Sequence, residues 1–153
     1  MRAVAALAAC TALVAGCGND TAPDRGYPEL GKALGSLSRG LDEACAETDT
    51  PESCAEDLDT LAAPTERAFT QVLEHKLLDA GAVEAMDELD RARELRVTAA
   101  REARARQDPR DPALAHAVAA EKRAYQRLLT ELERLRTAPP PGDGTDSVRR
   151  PRS

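Results

Sequence analysis

The residue types that most often carry chemistry in proteins are few in this chain. Its two histidines, His75 and His116, lie far apart, and neither belongs to a His-Glu-x-x-His pattern that would bind zinc. Glu84, Asp87 and Glu88 form one acidic ridge at helical spacing, and such a ridge is more often solvated than occupied by a cation. No nucleophile elbow, glycine-rich phosphate loop or calcium loop occurs in the sequence. We therefore expect no enzyme, no metal site and no cofactor.

The first sixteen residues have the organisation of a signal peptide. Arg2 supplies a positive start, and residues 3–15 are apolar apart from Thr11. This run is shorter than the roughly 20 residues that a helix needs to span a bilayer, but it suits the apolar region of a signal peptide. An ordinary apolar N-terminal helix is the alternative. We expect residues 1–16, with Cys10 among them, to be removed on export.

The sequence Val14-Ala15-Gly16-Cys17 resembles the lipobox of bacterial lipoproteins, in which a branched aliphatic residue and two small residues precede an obligatory cysteine. The resemblance covers only this segment. It implies that the Cys17 thiol is alkylated by a diacylglycerol group and that a dedicated peptidase cleaves before it. Two acyl chains would give a stable membrane anchor. The resemblance thus implies an extracytoplasmic, lipid-anchored protein, and the polar residues 17–27 would be its flexible tether.

Export would leave Cys45 and Cys54 in an oxidising compartment, where a pair of thiols is expected to form a disulfide. The bond would close a loop of about ten residues and stabilise the fold by roughly 2.7 kcal/mol. A redox-active pair or a pair of metal ligands is the alternative, although the spacing is not Cys-x-x-Cys and no histidine is near. Thr50 and Pro51 indicate a helix start between the cysteines, so the bond would join two helices at their corner.

Composition restricts the class of protein further. The chain has 153 residues, enough for one domain, and its formal charge of −6 makes nucleic acid a poor partner. Aromatic residues are 2% of the chain and tryptophan is absent, so the core must consist of Leu, Val and Ala. These side chains suit closely packed helices, which leave little room for a ligand pocket.

Helical periodicity predicts an all-α domain over residues 28–137. The first helix is expected to begin at Pro28, and its apolar face comprises Leu30, Leu34, Leu37 and Leu41. The second is expected to run from Pro51 to about Ala63, and Pro64 either bends it or begins the next helix.

Two long helices are expected to form an antiparallel hairpin. The first would cover residues 65–107 as one helix bent at Gly81, and a break at Gly81 is the alternative. Asp111 would cap the second and Pro112 would open it. Its heptad-spaced apolar face comprises Leu114, Val118, Tyr125, Leu128, Leu132 and Leu135, with Glu121 out of place. The predicted fold is an antiparallel helical bundle built on this long hairpin plus a shorter disulfide-linked helix pair, and residues 138–153 are predicted to be a disordered tail.

Charge is divided unevenly along the chain. Residues 17–90 carry 18 acidic and 5 basic side chains, whereas residues 91–153 carry 9 acidic and 15 basic ones. Eight acidic residues lie between Asp42 and Asp59 with no base among them. One interpretation is internal: this acidic corner lies against the arginine-rich part of the long helix, in pairs that each contribute about 0–1 kcal/mol.

The other interpretation is that the arginines recognise a partner. The candidates are Arg93 and Arg96 on the long helix, and Arg123, Arg127 and Arg134 on the outer face of the last one. They could meet an unknown envelope protein, anionic lipid headgroups or a polyanionic cell-wall polymer. The sequence therefore predicts a non-catalytic interaction module at the cell envelope. The alternatives are a ligand-binding or sensory lipoprotein that holds a small molecule between its helices, and a surface protein that contributes only local charge and bulk. The last apolar face could also form a homodimer instead of packing within one chain.

Overall fold

The computed structural model describes residues 27–46 and 50–138. Five helices follow one another in these ranges: α1 (Pro28–Glu43), α2 (Pro51–Asp59), α3 (Ala62–Glu74), α4 (Ala80–Arg106) and α5 (Pro112–Thr137). The described residues contain no strand, and the predicted all-α class is confirmed. The predicted signal peptide, nearly all of the tether and nearly all of the tail lie outside the described residues.

Helices α4 and α5 form the antiparallel hairpin on which the bundle is built. Ion pairs mark its turn, its middle and its open end, respectively Arg106–Asp111, Arg96–Glu121 and Arg134–Asp79. The six predicted apolar residues of α5 are all buried in the single chain. They therefore form the interface between helices of one molecule and leave no free apolar face there for a second copy.

The capping residues explain where α5 begins. The Asp111 carboxylate accepts hydrogen bonds from the backbone N–H groups of Ala113 and Leu114, at 2.8 and 3.0 Å. Pro112 occupies the first helical position, where no N–H is needed. The preceding helix ends with Gln107 in the left-handed conformation, at φ 55°. Both ends of the turn are thus closed by hydrogen bonds, and the two long helices can reverse direction within a few residues.

The shorter helices cover one side of the hairpin. Helix α1 packs on α3 and α5, while α2 packs on α5 and, less extensively, on α4. The four predicted leucines of α1 are buried, at Leu30, Leu34, Leu37 and Leu41. Cys45 and Cys54 form the predicted disulfide, with their Cα atoms 4.5 Å apart. The fold is therefore the predicted helical bundle, with the disulfide joining the end of the α1 segment to α2.

The predicted single helix over residues 65–107 is wrong. The chain breaks between α3 and α4, and Lys76 there adopts a left-handed backbone conformation with φ 55°. The N–H groups of Lys76 and Leu77 donate to the carbonyls of Leu73 and Val72, which is the Schellman arrangement that ends a helix. Asp79 then caps α4 by accepting from Ala82 N–H at 3.0 Å. Gly81, the predicted bend, lies within the first turn of α4.

The predicted second helix is also shorter than expected. Helix α2 ends at Asp59, where the Thr60 hydroxyl donates to the carbonyl of Asp57 at 2.6 Å. Helix α3 begins at Ala62, so Pro64 lies in its first turn, where a missing N–H costs little. Pro64 therefore belongs to the start of the next helix, the second of the two predicted outcomes.

Both ends of the described chain lie at the open end of the α4–α5 hairpin. The ring of Tyr27 lies 4.7 Å from that of His75, in the connection between α3 and α4. Near the end of α5, Arg134 donates to Asp79 at 2.5 Å, in the same connection. The turn of the hairpin, at residues 107–111, is consequently at the far end of the molecule.

Candidate functional site

A buried ion pair joins the middle of α4 to the middle of α5. Arg96 is 4% exposed and Glu121 is 0% exposed, and Nε of Arg96 donates to Oε2 of Glu121. Arg96 also donates from Nη2 to Oδ1 of Asp59 at 2.5 Å, at the end of α2. Three helices therefore meet at one guanidinium group. Glu121 is not misplaced on an apolar face, since its charge is balanced by a cation from the facing helix.

Arg93 lies one turn away and completes the network. Its Nη2 donates to the hydroxyl of Tyr125 at 2.8 Å, and its Nε lies 3.7 Å from Oε1 of Glu121. Oε1 has no hydrogen-bond partner among the described residues. Arg93 is partly buried on the apolar side of α4, with a third of its side chain exposed.

The surroundings of Arg96, Arg93 and Tyr125 determine the protonation states of these three side chains. Burial by itself lowers the pKa of Arg96, but the hydrogen bond and the charge of Glu121, and then those of Asp59, raise this pKa above its usual value overall. Burial raises the pKa of the Tyr125 phenol, and the hydrogen bond from Arg93 offsets this rise only partly. Both arginines are therefore cations, and Tyr125 is a neutral phenol, at any physiological pH.

The acids of α2, which belong to the acidic corner, lie against the arginine-rich part of α4, as the internal interpretation predicts. Nε of Arg104 donates to Glu52 at 2.8 Å, and a second nitrogen lies 4.0 Å from Glu56. Together with the ion pair between Arg96 and Asp59, these pairs connect α2 to α4 along the length of α2. Most of the side chains concerned are exposed, so each such pair contributes little on its own.

The candidate partner-binding arginines are in different situations. Arg96 lies in the interior, where a partner does not reach it. Arg127 is bound by Glu84 at 3.1 Å and by Glu88, and Arg134 by Asp79 and Glu131. Arg123 is exposed. Glu84 and Glu88 of the acidic ridge thus face Arg127 of α5, and two of the three arginines predicted on the outer face of α5, Arg127 and Arg134, belong to the hairpin's own ion pairs.

The disulfide lies where α1, α2 and α5 meet. The backbone N–H of Cys45, which has φ 68°, donates to Asp57 of α2 at 3.0 Å. Nζ of Lys122 donates to the carbonyl of Ala44 at 3.0 Å. Cys54 is buried and Cys45 is half-buried. This environment holds the bond within packed helices and suits a structural disulfide better than an exposed redox pair.

An open groove that the sequence did not predict separates α3 from α4. It has a volume of about 400 Å³, and the side chains that line it are Ala62, Thr65, Glu66, Phe69, Thr70, Leu73, Met86 and Arg93. The expectation that close packing leaves little room for a pocket does not hold here. The sequence signal for this groove is the spacing of the exposed apolar side chains along α4. These side chains can be assigned to one face of a helix only once the break after α3 is known.

The two histidines of the chain lie on the surface of the bundle. His75 and His116 are both exposed, and the described residues contain no group of three or more His, Cys, Asp or Glu side chains placed to hold a metal ion. None of the described helices combines the length and the apolar character needed to cross a membrane. Cys17 lies outside the described residues.

Comparisons with known proteins gave no match: no protein-family model, no curated protein and no solved structure resembles this chain. The interpretation of function therefore depends on the chain's own residues and their geometry.

Proposed function

We propose that the protein is an extracytoplasmic lipoprotein, anchored to the membrane through Cys17, whose helical domain is a non-catalytic interaction module at the cell envelope. The observation that carries the proposal is the sequence Val14-Ala15-Gly16-Cys17 directly after an apolar run. The disulfide between Cys45 and Cys54 supports it, because structural disulfides persist mainly in oxidising compartments.

The form of the domain supports a binding role over a catalytic one. Its most buried charges, Arg96 and Glu121, neutralise each other inside the bundle and are not directed at a cavity. Catalytic groups, by contrast, usually face a concave site that excludes water. A compact domain attached by two acyl chains would present its side and far end to other envelope components.

The anchor is tested by metabolic labelling, in which cells that express the protein are grown in medium that contains an alkyne-bearing fatty acid. We expect the label on the wild-type chain and on Cys10→Ala, because Cys10 would be removed with the signal peptide. The Cys17→Ala chain should carry no label and should leave the membrane fraction. Label that persists in Cys17→Ala, or wild-type protein without label, would contradict the lipoprotein proposal.

A second candidate function is favoured by the groove between α3 and α4. Phe69, Leu73 and Met86 give it an apolar lining, and Arg93 lies at one end, so the groove suits a small amphiphilic ligand. Native mass spectrometry of the protein purified from its own cells tests this function. A retained compound of fixed mass, lost in Leu73→Gln, would favour a ligand-binding lipoprotein, and its absence would favour the interaction module.

A further inference from the structure

We propose that the groove between α3 and α4 docks a basic amphipathic helix of a partner protein. This inference rests on the proposed interaction module for its biological setting, since it names the surface and the partner class of that module. The binding itself requires only the folded helical domain.

The first observation is a line of apolar side chains that no other described residue covers. Phe69 and Leu73 of α3 face Met86 of α4 across the groove, and Leu73 is 52% exposed. Helical spacing places Val83 and Val97 on the same side of α4 as Met86, and both are more than 40% exposed. Aligned apolar side chains at one concave surface, rather than scattered ones, indicate a binding site.

The second observation is the length of this line. From Val83 to Val97 the axis of α4 advances about 21 Å, at 1.5 Å per residue. The groove itself is lined by Met86 and Arg93 on α4 and by side chains between Ala62 and Leu73 on α3, and the exposed Val83 and Val97 extend the apolar surface of α4 beyond it at both ends. A partner helix of three to four turns, with apolar side chains at positions i, i+3 or i+4, and i+7, fits such a groove.

The third observation is the charge around the mouth. Glu66 lines the groove on α3, and the exposed acids on the same side of α4 are Asp87, Asp90 and Glu94. A partner helix with lysine or arginine beside its apolar face would place those cations against these carboxylates. An acidic helix would be repelled.

Among the described residues that line the groove, Arg93 is the one basic side chain, and it does not reverse this preference. Its guanidinium is already bound to the Tyr125 hydroxyl, with Nη1 lying 3.6 Å from Asp90 and Nε 3.7 Å from the buried Glu121. Its charge is therefore offset before any partner arrives, and the rim remains acidic through Glu66, Asp87 and Glu94, which do not contact Arg93.

Binding is tested with two synthetic helical peptides of about five turns that share one leucine face. One carries lysine on its polar face and the other carries glutamate. The protein is the full-length chain with Cys17→Ser, which cannot be acylated, and with its disulfide formed. Fluorescence anisotropy should detect binding of the lysine peptide and none of the glutamate peptide, and added salt should weaken the binding.

Two leucine variants locate the site. Leu73→Gln should weaken binding of the lysine peptide about tenfold, because it removes an apolar contact from the groove. The matched control is Leu95→Gln, on another face of α4, where the leucine is 64% exposed and outside the groove. Its affinity should equal that of the unaltered chain.

Three results would overturn the proposal: no binding of either peptide, binding of the glutamate peptide at least as tight as that of the lysine peptide, or equal losses in the two leucine variants. Each would leave the fatty-acid labelling of Cys17 unaffected. Conversely, failure of that labelling would remove the lipoprotein proposal without altering the peptide result.

Discussion

Replacing Arg96 by methionine should severely destabilise the fold, because it removes the principal partner of Glu121. Glu121 is fully buried, and the nearest remaining cation is Arg93, whose Nε lies 3.7 Å from Oε1. Removal of one partner of a buried pair typically costs about 3–5 kcal/mol, since the other charge is left without compensation. A domain of this size loses roughly 4 °C of Tm per kcal/mol, so Tm should fall by about 12–20 °C.

The reciprocal change should cost less. In Glu121→Leu, Arg96 keeps its hydrogen bond to Asp59, whose carboxylate is largely exposed, so the guanidinium retains a partner and access to water. We expect a loss of about 1–3 kcal/mol. In the double variant both charges are gone, and the free energy of unfolding should return to within about 1 kcal/mol of the unaltered protein.

Urea unfolding followed by far-UV circular dichroism measures all four proteins of this cycle. Arg127→Met is the matched control: its pairs with Glu84 and Glu88 also connect α4 to α5 but are exposed, so it should cost less than about 1 kcal/mol. The reasoning would be refuted if Arg96→Met cost no more than Arg127→Met. It would also be refuted if the two single losses simply added in the double variant.

Three other perturbations test separate features. Reduction of the disulfide should lower the free energy of unfolding by roughly 2.7 kcal/mol, measured by urea unfolding with and without reductant; an unchanged midpoint would contradict its structural role. Gly35→Ala should raise the free energy of unfolding by about 0.5–1 kcal/mol, because nothing lies within 4 Å of the new Cβ. Gly40→Ala should give no gain, because its Cβ would lie 2.7 Å from the side chain of the buried Leu61. Equal effects of the two substitutions would argue against the packing of α1. The pKa values of Asp79 and Asp111 are lowered, first by the backbone N–H groups that donate to these carboxylates and next by arginines. The contribution of the two carboxylates to stability is therefore complete above the unfolded pKa of about 3.9, and it is lost as the pH falls through the lowered values. Asp111→Asn keeps a cap but cannot ionise, and should flatten the acid side of a plot of Tm against pH; an identical slope would contradict this account.

Local signals were sufficient for most of the helices. Pro28, Pro51 and Pro112 each stand at the first position of a helix, and the leucine spacing of α1 matches its buried face. These features depend on residues within a few positions of one another, which is why they are readable from the sequence. The pairing of the acidic corner with the arginines of α4 followed from the charge distribution alone, although the particular partners did not.

Two features depended on information that the sequence does not carry locally. The break after α3 uses Lys76 in a left-handed conformation, where glycine or asparagine would be the usual signal. Glu121 and Arg96 are 25 residues apart, so their pairing depends on the register in which α4 packs against α5. The groove could not be predicted either, because it lies between α3 and α4 and their arrangement depends on the unpredicted break between them.

The positions of residues 27 and 138, where the described part of the chain begins and ends, affect how the helical domain would respond to force. Residues 27 and 138 lie at the same end of the bundle, while the turn at residues 107–111 lies at the other. A pull applied between the two ends would peel α1 from α5 turn by turn and would meet low resistance. A pull between residue 27 and the distant turn would load the long interface of α4 and α5 in shear, against many contacts at once. If Cys17 anchors the chain to a membrane as proposed, tension through that anchor would therefore be resisted far better when the partner is held near the turn than when it is held beyond residue 138.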